Sequence, residues 1–84
     1  MMKITPELFA DLYHAIRAIY REGQVSVPAT MRERWDFFWI SGFKISRLYD
    51  AGLNDDHIDT ALRRVFKHLA DGTAPALPHE GSTS

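Results

Sequence analysis

The chain has 84 residues, no cysteine and a formal net charge of −1. That length allows one domain burying about 60–65% of its unfolded surface, and the missing cysteines exclude disulfides and thiolate chemistry. No apolar run approaches the ~20 residues of a membrane span, and no basic segment followed by an apolar one opens the chain, so a cytoplasmic protein is expected.

The first predicted helix runs from about Pro6 to Glu22. Thr5 offers a side-chain oxygen to the free N–H groups of its first turn, and Pro6 sits where a missing N–H costs nothing. Ile4 can staple onto Phe9 across the cap. Leu8, Phe9, Leu12, Tyr13, Ile16, Ile19 and Tyr20 fall on one stripe at helical spacing. Gly23 closes the helix, since glycine takes the left-handed conformation without Cβ strain. Gln24 to Ala29, with Val25, Val27 and Pro28, reads as an extended link.

The second predicted helix runs from about Met31 to Ala51. Thr30 and Glu33 make a Thr-x-x-Glu capping box, and Gly52 closes the element. Met31, Trp35, Phe38, Trp39, Gly42, Phe43, Ile45, Ser46 and Tyr49 form a broad face, with Trp35, Phe38 and Trp39 expected inside the core. Phe37, Ile40 and Leu48 lie outside that face. A helix apolar on more than one side is usually buried on more than one side, so this one is expected to be the central, most buried helix. The third predicted helix runs from about Asp55 to Asp71, between Asn54 and Gly72. Ile58, Ala61, Leu62, Val65, Phe66 and Leu69 make its buried stripe; Asp56, Asp59, Thr60, Arg63, Arg64, Lys67 and His68 make its exposed face. Thr73 to Ser84 is rich in Pro, Gly and Ser and reads as a disordered tail. The expected fold is an all-α three-helix bundle over residues 1–72, with the tail at 73–84.

Acids precede bases within each predicted helix, which suits the helix macrodipole at about 0.3–1 kcal/mol per charge. If the helices alternate up, down and up, one pole gathers Arg17, Arg21, Arg32, Arg34, Arg63, Arg64, Lys67 and His68. The other gathers Glu7, Asp11, Asp50, Asp55, Asp56 and Asp59. Opposite charges stand among both groups, Glu22, Glu33, Asp36 and Asp71 at the first pole and Lys3, Lys44 and Arg47 at the second, and a dipolar molecule is expected from the nearly neutral chain. Such a field steers partners.

Lys44 to Arg64 resembles the turn of DNA-binding helix-turn-helix units, with Gly52, then apolar Leu53, and Ile58 where the second helix locks onto the first. The resemblance implies nucleic-acid binding through the third predicted helix. Two features oppose it: Leu48 is large where that turn wants a small side chain, and Asp55, Asp56 and Asp59 would repel phosphate. The basic pole offers a second route to nucleic-acid backbone, through Arg17, Arg21, Arg63, Arg64 and Lys67.

No catalytic group is expected. Ser41 and Ser46 lie inside a predicted helix, the glycines are single, and the four histidines include no i, i+4 pair. No metal, cofactor or small-molecule substrate is expected either. Phe37, Ile40 and Leu48 are the residual anomaly. Exposed apolar side chains that cluster mark protein interfaces. The chain is therefore read as a small interaction or regulatory protein that uses this surface for a homodimer or a protein partner. A helix-turn-helix-like nucleic-acid binder is the alternative.

Overall fold

Pro6–Gly23 forms α1, Met31–Ile40 α2, Ile45–Asp50 α3 and Asp55–Asp71 α4 in the computed structural model, which describes residues 4–23 and 27–75. No strand occurs among the described residues. The caps work as their chemistry demands. Thr5 Oγ1 accepts from the Leu8 N–H at 3.1 Å. Thr30 Oγ1 accepts from the Glu33 N–H at 3.2 Å, and Glu33 Oε1 accepts from the Ala29 and Thr30 N–H groups and the Thr30 hydroxyl. Those bonds, the Thr30 hydroxyl first, hold the Glu33 carboxyl below its ordinary range. Asn54 Oδ1 accepts from the His57 N–H at 2.9 Å, and His57 Nδ1 accepts in return from the Asn54 N–H.

The single helix expected over 31–51 is two helices, which makes four helices among the described residues. Gly42 takes φ +77°, the left-handed region. Ser41 reinforces the break: its hydroxyl donates to the Phe38 carbonyl at 2.6 Å and accepts from the Phe43 N–H at 3.2 Å. A short hydroxyl side chain competes with the helix for backbone partners in this way. In the sequence Gly42 reads only as a small residue on an apolar face, because its φ is invisible to periodicity. No atom lies within 4 Å of where its Cβ would stand, so Gly42→Ala adds backbone strain alone. It is expected to cost about 1–2 kcal/mol in chemical denaturation. A neutral or stabilising result would show that the corner does not need the left-handed residue.

The α3–α4 corner follows the same logic. Gly52, at φ +88°, donates to the Tyr49 carbonyl, and the Leu53 N–H reaches back to the Leu48 carbonyl at 3.1 Å. This is a Schellman closure, and its apolar partners Leu48 and Leu53 are both buried. The Tyr49 hydroxyl donates to Asp55 across the corner at 2.8 Å, which raises the pKa of the phenol.

α4, not α2, is the central element. It packs against both α1 and α2 and buries Ile58, Ala61, Leu62, Val65 and Phe66. α1 adds Phe9, Leu12, Tyr13 and Ile16, whereas α2 adds Phe38 and α3 adds Leu48. Trp39, expected in the core, is 54% exposed. The break at Gly42 means α2 need cover only its Phe38 side.

Of the expected tail, Thr73 to Pro75 are described and are tied down. The Tyr13 hydroxyl donates to the Thr73 carbonyl at 3.3 Å, and Thr73 Oγ1 lies 2.9 Å from His68 Nδ1. Ile4 and Pro75 line one hollow together with Phe9, Arg64 and His68. The rest of the expected tail, residues 76–84, lies outside the described residues, as do Gln24 to Ser26 of the link and Lys3.

Candidate interaction surfaces

Phe37, Ile40 and Leu48 do not form one surface. Leu48 is 0% exposed and belongs to the core. Once α3 is a separate helix, its direction is no longer that of α2, and Leu48 turns inward. Phe37 is half-buried with its ring 5.3 Å from that of Phe66, edge to face. Ile40 stands out in solvent at 71% exposure.

The outward face of α2 is built differently. Successive residues advance by about 100°, and the inward direction is fixed by Phe38 and Arg34. Arg32, Asp36, Trp39 and Ile40 therefore point away from the bundle, and all four are exposed. Met31 is exposed as well, but by the same count it lies on the Phe38 side of the helix and not on this face. Trp35 lies between border and core, its ring 5.7 Å from Phe38 and 6.1 Å from Trp39. Its buried indole N–H has no acceptor among the described residues.

Beneath that face lies a buried ion pair. Arg34 Nε donates to Asp59 Oδ1 at 3.1 Å, and a terminal nitrogen of Arg34 donates to Oδ2 at 3.3 Å. Arg63 Nε donates to the same Oδ2 at 3.1 Å. Arg34 and Asp59 are only 9% and 6% exposed. Asp59 thus belongs inside, not on the exposed face, and the two charges assigned to opposite poles are joined. The signal was available: Arg34 precedes Phe38 by four residues, and Asp59 precedes Leu62 by three and Phe66 by seven, so each shares a stripe with core residues.

The basic residues likewise separate. Arg63 is engaged by Asp59, and Lys67 lies 3.5 Å from Asp71. The Arg64 guanidinium sits over the Phe9 ring, 4.4 Å from its centroid. Arg47 pairs with Asp11 at 2.8 Å and lies over Phe43. Arg17 and Arg21 line a cavity of about 340 Å³ between α1 and the end of α4. Arg63 and Lys67 thus have carboxylate partners, while Arg17 and Arg21 line a cavity that neither of them lines.

No protein-family model, no curated protein and no solved structure matches this chain. No helix among the described residues is long and apolar enough to cross a membrane.

Proposed function

We propose that this protein is a small non-enzymatic interaction module that associates with a second copy of itself through the outward face of α2. The observation that carries this reading is the company kept by Trp39 and Ile40. Both project from a rigid helix, and beside them stand Arg32 and Asp36, one turn apart and of opposite sign. Neither has an ion-pair partner among the described residues. A two-fold axis near residue 34, with the two α2 helices antiparallel, would set each Arg32 beside the partner's Asp36 and lay Trp39 and Ile40 of each copy near the start of the partner's α2. A surface that is complementary to itself is what an isologous dimer requires. A ten-residue helix offers less than the ~800 Å² per partner of a standard interface, so the affinity is expected to be modest.

Sedimentation across a wide concentration range tests this. Concentration-dependent dimerisation is expected, and Ile40→Asp should abolish it at little cost in melting temperature, because a charge enters an apolar contact only at high cost. Phe37→Asp is the wrong probe, since Phe37 packs on Phe66. Arg32→Asp and Asp36→Arg should each weaken the dimer, and the two together should restore it. A chain that stays monomeric at high concentration defeats the proposal, as does a double swap that restores nothing.

One observation favours the second reading. α3 and α4 meet at the Gly52 corner with Leu48, Leu53 and Ile58 all buried, which suits a helix-turn-helix-like nucleic-acid binder. Against it, Asp55 and Asp56 stand exposed at the start of α4, and Arg63 and Lys67 already have carboxylate partners. Binding to random duplex DNA that falls steeply with salt would reverse this order of preference.

A further inference from the structure

Of the seven arginines in the chain, four are engaged: Arg34 and Arg63 by Asp59, Arg47 by Asp11, and Arg64 by the Phe9 ring. Arg32 has a role in the proposed dimer. Arg17 and Arg21 are left. They stand one turn apart on α1, where like charges at this spacing repel, and no carboxylate answers them among the described residues. Arg17 is half-buried and Arg21 is exposed. Both line the 340 Å³ cavity, whose other walls include Tyr20 beside them and Tyr13, His14 and His68.

The cavity is held in shape. The Tyr13 hydroxyl binds the Thr73 carbonyl, His68 is fixed against the Thr73 hydroxyl, and Gly72 at φ +72° turns the chain back towards α1. The rings of Tyr13 and His14 meet edge to face at 5.2 Å, and those of Tyr13 and His68 at 6.1 Å. Two guanidinium groups one turn apart supply N–H donors suited to a compact dianion. Aromatic rings around them suit a flat, less polar body. The volume lies at the lower end of the ~300–1,000 Å³ range of ligand pockets, enough for a small molecule and too little for a dinucleotide.

We infer that the cavity between α1 and the end of α4 binds a small phosphate monoester, with Arg17 and Arg21 holding the phosphate. This does not depend on the α2 dimer, which uses another face. The same phosphate chemistry could come from a metabolite or from a nucleic-acid backbone, and the test separates them.

The full chain is titrated with phenyl phosphate, and binding is followed by amide and aromatic chemical shifts. Saturable one-to-one binding is expected, with the shifts concentrated on Tyr13, Tyr20, Gly72 and Thr73. Arg17→Gln and Arg21→Gln should each weaken it about tenfold or more, the effect of losing one charge-assisted hydrogen bond. Lys44→Gln removes the same charge elsewhere and should leave binding unchanged. These exposed or half-exposed positions tolerate glutamine within about 0.5 kcal/mol, so folding does not confound the comparison. Failure to saturate, shifts scattered over the surface, or an equal loss in Lys44→Gln would overturn the inference. Duplex DNA that displaces phenyl phosphate at lower phosphate concentration would assign the two arginines to nucleic-acid backbone instead, and would overturn the small-molecule assignment.

Discussion

Asp59→Ala is expected to be the most damaging polar substitution in this protein, lowering stability by about 3 kcal/mol or more. The reason is what it leaves behind. Arg34 is buried and gives two hydrogen bonds to Asp59, one from Nε and one from a terminal nitrogen. Without the carboxylate its charge is stranded beside Phe38. Arg63 would suffer little, because its side chain is 67% exposed and water replaces the lost partner. The reverse change, Arg34→Ala, should cost less, since Asp59 keeps Arg63. Replacing both together, Arg34→Met with Asp59→Leu, should be close to neutral, because the desolvation cost of a buried pair offsets much of its attraction. Urea denaturation of the four proteins checks this. A loss below about 1 kcal/mol for Asp59→Ala would place the pair effectively in solvent. A total stability on the order of 4–13 kcal/mol for a domain of this size means the single variant could be partly unfolded at room temperature.

Phe38 and Trp39 are neighbours that should behave oppositely. Phe38→Ala is expected to cost about 3–5 kcal/mol, the range for an aromatic ring removed from a packed core. Phe38 is fully buried, and its ring meets those of Trp35, Trp39 and Phe43. Trp39→Ala should cost about 1 kcal/mol or less in the monomer, since more than half of Trp39 already faces water. The same variant should nevertheless impair dimerisation. Denaturation at low protein concentration isolates the first effect, and sedimentation the second. A cost above about 3 kcal/mol for Trp39→Ala would return Trp39 to the core and remove the apolar part of the proposed dimer face.

The helix ends were legible because each is fixed by local chemistry. Thr5, Thr30, Asn54, Gly52 and Gly72 do what their side chains, or the lack of one, permit. The apolar stripes of α1 and α4 were legible for a related reason: a long helix against one core imposes a regular period. What failed was the stretch 31–51. Its apolar residues satisfy a helical period on either side of Gly42, so periodicity alone reads straight through the break. The signals that mattered were a glycine with a hydroxyl residue just before it, and they were outweighed by the aromatic run. Leu48 reads as outside and Trp39 as inside when both are projected onto a single axis. The Arg34–Asp59 pair hides for a different reason, since charged residues read as solvent-facing by type. Their position in line with Phe38, Leu62 and Phe66 would have argued otherwise. The cavity beside Arg17 and Arg21 depends on where Thr73 folds back, which no local pattern in the sequence encodes.

The hollow shared by Ile4 and Pro75 has a practical meaning for anyone who would build with this domain. Its entry and exit strands of chain meet at one spot on the surface, as is common in small domains. A domain so arranged can be spliced into a loop of a host protein without prising that loop apart, and a short bridge would join residue 4 to residue 75 in a circular permutant. If the outward face of α2 pairs as proposed, the host would acquire that surface along with the insert.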